Sequence, residues 1–216
     1  MKKRIIIGFL LVLIISGSAG YLYRELLLVK AGQFMAPQGN YTADVVILEG
    51  AAYIYSGFVK TGMDLVAGGK AKKMIVVIHR LAPEHRPFGV QGDYPDAVRQ
   101  KLREMGLKDD QFKVIVTPLR NPVTLNEAKS VFKDLEPEKI SSAILIAQSF
   151  HTRRSYLAYA YAAQPRKIKI YPQAGFTEFK TDKWWTTDTG WREFLSESGK
   201  LFYYLICRHI PLKFSY

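Results

Sequence analysis

The stretch "SSAILIAQSFHTRRSYLAYAYAA", residues 141–163, decides the fold. Its first part, Ser142–Ala147, is a short continuous apolar run, which is typical of a parallel strand that is buried on both faces. Its last part, Arg153–Ala163, has the spacing of a helix. A buried strand that leads through a short polar turn into a helix predicts one βα unit of an α/β domain.

The same alternation continues on both sides of this unit. Similar apolar runs predict further strands over Ala43–Gly50, Lys73–Ile78, Lys113–Pro118 and Lys167–Pro172. The segments between them predict helices over Ser56–Ala67, Asp96–Gly106 with a glycine C-cap, and Thr124–Leu135, where Thr124 and Glu127 form a capping box. Strands that alternate with helices predict a Rossmann-like, doubly wound α/β fold with a mostly parallel five-stranded sheet.

The N-terminus predicts a membrane anchor. The basic cluster Lys2–Arg4 precedes Ile5–Tyr23, a run of 19 residues without charge. As a helix this run is about 28 Å long, close to the hydrocarbon thickness of a bilayer. Basic residues stay in the cytoplasm, so we expect a single-pass inner-membrane protein with an extracytoplasmic domain. The alternative is a cleaved signal peptide, which the small residues of Ser16–Gly20 favour.

Four regions follow from these patterns. They are an anchor (1–30), a linker rich in Gly and Pro (31–41), the α/β domain (42–175) and an aromatic-rich helical extension (176–216). In the extension, Trp184, Trp185 and Trp191 surround a polar turn, and a helix of about fifteen residues is expected from Trp191. This helix either packs on the domain or lies against the bilayer near the anchor.

The charge of the chain predicts an anionic partner. The net charge is +12, and Cys207 is the single cysteine, so the chain forms no internal disulfide. The positive excess suits phospholipid headgroups of a bilayer or an anionic envelope metabolite. Nucleic acid is not expected, because no RNP, zinc-finger or helix-turn-helix pattern is present. The absence of a P-loop and of a G-x-S-x-G turn argues against an NTPase and a serine hydrolase.

A candidate site follows the strand that ends at residue 147. In doubly wound sheets, ligands bind beyond the carboxyl ends of the strands. Ser149, His151, Arg153 and Arg154 follow that strand, and Glu49–Gly50 ends the first one. We expect His151 to be the catalytic acid/base, Arg154 and Arg153 to clamp an anion, and the other residues to bind ligand.

Further residues are expected to line the same site. They are His79, Arg80, Asp96, Thr124, Asn126 and Glu127, which stand near the other strand ends. The long connection His79–Pro95 has the length of a binding lid. His79, Glu84, His85 and Asp93 fit no established zinc spacing, so we predict no metal site.

These motifs resemble the YdcF/SanA/ElyC-like family of bacterial envelope proteins over about Ala43–Pro172. "QSFHTRRS" keeps Ser149, His151 and Arg154 of the family's Thr-Ser-x-His-x-x-Arg-Ala, and "VTLNEA" is similar to its Asn-Thr-x-Glu-Asn-Ala helix start. The chain departs from the pattern at two turns. The glycine-rich turn is reduced to Gly50, and "VVIHR" stands where the family has Ser-Gly-Gly. The chain therefore resembles a divergent member.

The resemblance implies a role in envelope biogenesis or barrier maintenance. It also implies S-adenosylmethionine as a candidate cofactor, because one branch of the family binds it. Two hypotheses follow. The domain binds a phosphorylated, nucleotide-linked or lipid-linked glycan and, if catalytic, is a hydrolase or transferase at a phosphoryl or glycosyl centre. Alternatively, it is a non-enzymatic binding or assembly module with a degenerate cofactor site.

Overall fold

The computed structural model describes residues 6–8, 17–18, 20–51, 54, 56–80, 94–175 and 178–211. The helices within this part are α1 (Arg24–Met35), α2 (Ser56–Ala67), α3 (Tyr94–Glu104), α4 (Val123–Asp134), α5 (His151–Ala163) and α6 (Asp188–Ile206). The strands are β1 (Val45–Ala51), β2 (Lys73–Arg80), β3 (Phe112–Pro118), β4 (Ser142–Gln148) and β5 (Lys169–Gly175).

The five strands form one parallel sheet in the order β3-β2-β1-β4-β5. Val46 of β1 stands beside Met74 of β2 on one side and Ile144 of β4 on the other. The strand order reverses between β1 and β4, and such a reversal opens a crevice at the carboxyl edge. The predicted α/β class and the five parallel strands are confirmed, and the order is consistent with a Rossmann-like fold.

Helices cover both faces of the sheet, which explains the continuous apolar strands. On one face, Val131 of α4 and Tyr159 of α5 pack with residues of β1 and β4. On the other face, Val59 of α2 and Leu102 of α3 pack against β1 and β2. Residues 143–147 of β4 are therefore at most 1% exposed, so the strand has no side that faces water.

Local backbone conformation sets two boundaries that differ from the prediction. β5 begins at Lys169 because Lys167 has φ +56°, a left-handed conformation that interrupts an extended chain. α4 begins at Val123 with Pro122 as its N-cap, so the predicted capping box is wrong. Thr124 lies inside the first turn instead, where its hydroxyl is available to another partner.

The aromatic extension packs on the protein itself. Trp184 is fully buried, and its Nε1 donates to the carbonyl of Leu28 in α1 at 2.9 Å. Its ring stacks on Phe194 of α6 with centroids 4.2 Å apart. Phe150, at the start of α5, belongs to the same cluster. Trp184, Leu201 and Tyr204 of this segment thus pack on the domain, whereas Leu195, Phe202 and Ile206 of α6 are exposed.

The predicted linker begins inside a helix. Residues 31–35 are the last turns of α1, and Met35 and Ala36 are buried. The helix continues because these residues pack in the cluster around Trp184. Gly32 fits there because a β-carbon at this position would collide with the Trp184 ring.

No helix in the part of the chain that the structure describes is long and apolar enough to cross a membrane. This finding overturns the predicted transmembrane anchor and the inner-membrane, single-pass localisation that depended on it. Most of the predicted span Ile5–Tyr23, with the basic cluster Lys2–Arg4, lies outside the described residues.

Candidate functional site

The site lies at the carboxyl edge of the sheet, where the strand order reverses between β1 and β4. Glu49–Gly50 belongs to the end of β1, and His151 and Arg154 form the first turn of α5 after β4. Glu197 reaches the same place from the middle of α6. Three separate elements therefore place charged groups around one point.

A tight turn at Ser149 connects β4 to α5. Ser149 has φ +44°, and its N–H donates to the carbonyl of Gly175 in β5 at 2.7 Å. Thr152 closes the turn by donating its hydroxyl to Ser149 O at 2.7 Å. Burial raises the pKa of Glu193, and the buried Ser149 hydroxyl is near enough to this carboxyl to oppose that rise, but it makes no hydrogen bond of good geometry with the described residues. Backbone strain of this kind is concentrated at functional sites.

His151 lies between two carboxylates. Its Nε2 is 2.8 Å from Glu49 Oε1, and its Nδ1 is 3.1 Å from Glu197 Oε2. Burial lowers the pKa of His151, but the charges and hydrogen bonds of Glu49 and Glu197 outweigh burial and raise this pKa to about 9. At neutral pH the two carboxylates therefore favour the protonated ring, whose N–H groups donate to Glu49 and Glu197.

Arg154 is held by residues from α4 and α6. Its Nη1 donates to Thr124 Oγ1 at 2.7 Å, and its Nε and Nη2 donate to Glu197 Oε2 at 3.1 and 2.9 Å. Its Nη2 lies 2.8 Å from His151 Nδ1, so two cations share one carboxylate oxygen. Burial favours protonation of Glu197, but His151 and Arg154 hold its pKa well below the usual range.

A second network beneath the first joins four elements through the buried carboxylate of Glu127. Its Oε1 accepts the Gly50 N–H at 3.1 Å and the Tyr159 hydroxyl at 2.5 Å, and its Oε2 contacts His79 Nε2. Burial and the charge of Glu127 raise the pKa of Tyr159 well above its usual value, so the phenol stays a donor. Gly50, His79 and Glu127 thus support the site from below.

A cavity of about 380 Å³ opens between the β4–α5 turn and α6. His151, Arg154 and Glu197 form its inner wall, and Lys200 and Arg192 lie at its border. Its volume is within the range of sites for small molecules. A small molecule is therefore able to reach the charged cluster through this cavity.

Four predicted site residues lie outside the lining of this cavity. Arg153 donates its Nε to the carbonyl of Phe34 at 2.6 Å and lies over the Phe34 ring, so it contacts the end of α1. Asp96 is exposed on α3 and pairs with Arg99 at 2.5 Å.

Asn126 and Arg80 are the other two. Asn126 donates to the carbonyls of Arg120 and Asn121 at 3.3 and 2.9 Å and closes the turn before α4. Arg80 is an exposed residue at the end of β2 and does not line the cavity. The loop residues Glu84, His85 and Asp93 lie outside the described part of the chain.

The sequence patterns did not predict the carboxylates of α6 or the hydroxyls of Ser155 and Tyr159 in α5 as parts of the site. Glu193, Glu197 and Lys200 recur at helical spacing on one side of an otherwise aromatic helix, and that spacing was the available signal. Ser155 donates to Glu49 Oε1 at 2.6 Å. It stands four residues after His151 and four before Tyr159, on one stripe of α5.

Comparisons with known proteins found no match to this chain. No family model matches the chain, and no curated protein or solved structure matches it either. The resemblance to the YdcF/SanA/ElyC-like family stays a prediction from the motifs. Within the described residues, no group of His, Cys, Asp and Glu is arranged to hold a metal ion.

Proposed function

We propose that this protein binds a small phosphorylated ligand in the cavity between the β4–α5 turn and α6. The observation that carries the proposal is a pair of largely buried cations, His151 and Arg154, at the reversal of strand order and on the wall of an open cavity. Charged donors of this kind make the strongest hydrogen bonds to phosphate oxygens. Lys200 at the cavity border adds a third positive charge.

The rest of the cavity suits a ligand that also carries hydroxyl groups. Gln148 and Ser196 contribute polar groups to its lining, and such groups orient sugar hydroxyls. We therefore propose a phosphorylated, nucleotide-linked or lipid-linked glycan as the ligand. The setting in envelope biogenesis or barrier maintenance and the candidate cofactor S-adenosylmethionine depend on the motif resemblance alone.

A chemical role for His151 follows from its protonation. An imidazolium on the cavity wall is able to donate a proton to the leaving oxygen of a phosphoryl or glycosyl group, with Glu49 orienting the ring through Nε2. Transfer to water or to a second hydroxyl would make the protein a hydrolase or a transferase. The expected reaction is therefore acid-assisted cleavage at one of these centres.

Calorimetric titration tests the binding proposal. The probes are inorganic phosphate, sugar phosphates, nucleotide sugars and S-adenosylmethionine, each added to the full chain. We expect Lys200→Gln, which changes a half-exposed side chain, to weaken binding of a phosphate-bearing probe about tenfold. The matched control Lys133→Gln removes an exposed lysine of α4 away from the cavity and should bind as the parent does. Absence of binding by every phosphate-bearing probe would refute the proposal.

A second candidate is a non-enzymatic binding or assembly module. The saturation of Arg154 by Thr124 and Glu197 favours it, because a stable ion cluster of this kind also serves structure alone. Under this alternative, His151→Gln leaves the function of the protein in cells intact at equal abundance. Loss of function at equal abundance supports the ligand site.

A further inference from the structure

The carboxylate of Glu197 is held as a ligand would be held. Its Oε2 lies 3.1 Å from Arg154 Nε, 2.9 Å from Arg154 Nη2 and 3.1 Å from His151 Nδ1. Its Oε1 accepts from Lys200 Nζ at 2.7 Å. One carboxylate thus receives donors from three cationic side chains, an arrangement found where proteins bind phosphate and carboxylate groups.

The lining of the cavity has an excess of positive charge. Four cationic groups, on His151, Arg154, Arg192 and Lys200, lie near three carboxylates, those of Glu49, Glu193 and Glu197. The excess attracts an anion, and a phosphate group has more oxygens than a carboxylate to accept from Arg154, His151 and Lys200.

Glu197 is also free to leave without disturbing the sheet. It extends from the middle of α6 and its side chain borders the cavity, with 12% of its surface exposed. Glu197 lines an open cavity of about 380 Å³, and this opening is the space into which its side chain is able to rotate.

Building on the proposed anion site, we infer that Glu197 is an internal stand-in for the ligand's phosphate group. Binding then exchanges the Glu197 carboxylate for a phosphate dianion on Arg154, His151 and Lys200. Because the carboxylate competes with the ligand, the apparent affinity falls in proportion to the fraction of time for which the three cations are free of Glu197.

The test compares Glu197→Gln with Glu193→Gln by calorimetric titration and thermal unfolding with inorganic phosphate, against chloride at equal ionic strength. Both variants remove one carboxylate from the lining of the same cavity, but among the described residues Glu193 forms no ion pair with Arg154, His151 or Lys200, so only the first variant frees these three cations. We expect Glu197→Gln to melt at a lower temperature in chloride, and phosphate to restore its stability. Its apparent Kd for phosphate should be at least tenfold lower than that of the parent, while Glu193→Gln stays within about twofold.

The outcomes separate this inference from the proposed function. If the parent binds phosphate and Glu197→Gln binds it no more tightly than Glu193→Gln does, the stand-in role is wrong and the anion site remains. If neither the parent nor Glu197→Gln binds phosphate, both proposals fail. Should Glu197→Gln not fold in chloride, Glu197→Asp shortens the side chain by one methylene group. The same tenfold gain is then expected from Glu197→Asp, and its absence refutes the inference.

Discussion

Two serines of the β4–α5 unit have opposite surroundings, although both are buried. The Ser149 hydroxyl has no hydrogen-bond partner among the described residues, whereas the Ser155 hydroxyl donates to Glu49 at 2.6 Å. We expect Ser149→Ala to change the free energy of unfolding by less than about 0.5 kcal/mol, because its hydroxyl makes no well-formed hydrogen bond that the substitution would remove. Ser155→Ala should lower the free energy of unfolding by about 1–2 kcal/mol, because it takes a donor from the buried Glu49 oxygen. Urea unfolding measures both, and equal losses in the two variants would contradict the assignment.

Gly50 has no room for a side chain. A β-carbon there would collide with the Glu127 carboxylate and with the His79 ring, which are fixed to each other. Gly50→Ala should therefore lower the free energy of unfolding by about 2–3 kcal/mol, as overpacking of a buried site does. Gly57→Ala is the control, because a β-carbon at Gly57 in the first turn of α2 meets no described atom within 4 Å and should not lower the free energy of unfolding. Equal effects of the two substitutions would show that Glu127 and His79 move to accommodate a β-carbon at Gly50 with little loss of stability.

The residues that sequence reasoning found are those next to strand ends. His151, Arg154 and Glu49 could be predicted because a parallel sheet brings the carboxyl ends of its strands to one edge. Glu197 could not, since its contact with Arg154 joins residues 43 positions apart and depends on how α6 docks. The sequence predicted that Arg153 and Arg154 would clamp one anion together. In the structure the two side chains have different partners, because adjacent helical residues point in different directions.

At the scale of elements, the docking of α1 and α6 depends on Trp184. Its ring is buried between the two helices, whereas Trp191 is 42% exposed. Trp184→Ala should lower the free energy of unfolding by about 3–5 kcal/mol, the usual cost of removing a buried aromatic side chain. Trp191→Ala should cost no more than about 1.5 kcal/mol, because much of its surface is already in water.

Thermal and urea unfolding of the two tryptophan variants measure this difference. Because Glu197 is carried by α6, Trp184→Ala should also weaken binding of phosphate probes or alter it, while Trp191→Ala should not. Similar losses of stability in both variants would contradict the structural role of Trp184.

Most strands and helices could be predicted from the sequence, but the end of α1 could not. The strands and the helices α2 to α5 follow from patterns within the segment, because each buries its own apolar run or stripe against the sheet. The end of α1 did not follow, because residues 31–35 stay helical only through contacts with Trp184, far along the chain. The glycine and proline content of residues 31–41 predicted that the chain would leave the helix near residue 31, but tertiary packing extends the helix to Met35.

At the scale of the whole molecule, stability should depend on pH through His151 and Glu197. The folded-state pKa of His151 is raised from 6.5 to about 9, so the stability it contributes is fully present below about pH 6.5 and is lost as pH rises toward 9. The pKa of Glu197 is lowered, so its contribution is present above about pH 4.5 and is lost as pH falls. The free energy of unfolding should be highest between these values and decline by about 2–3 kcal/mol up to pH 9.

Unfolding measured across this pH range, with His151→Asn as the test variant, checks the assignment. The variant should lose most of the decline on the alkaline side, because it removes the group that titrates. His209→Asn is the matched control, since the His209 ring contacts Tyr203 and Tyr204 and forms no ion pair with a carboxylate of the described residues. A decline that persists unchanged in His151→Asn would contradict the role of this residue.

The position of Glu197 on the last helix has a consequence for biosynthesis. Arg154 and His151 emerge from the ribosome more than forty residues before the carboxylate that neutralises them. A chain that ends before α6 keeps the Glu49 partner of His151 but lacks the carboxylate that pairs with Arg154, so we expect the β4–α5 turn to be less stable in such a chain. Limited proteolysis of a chain shortened before α6 should therefore cut near this turn sooner than it does in the full chain.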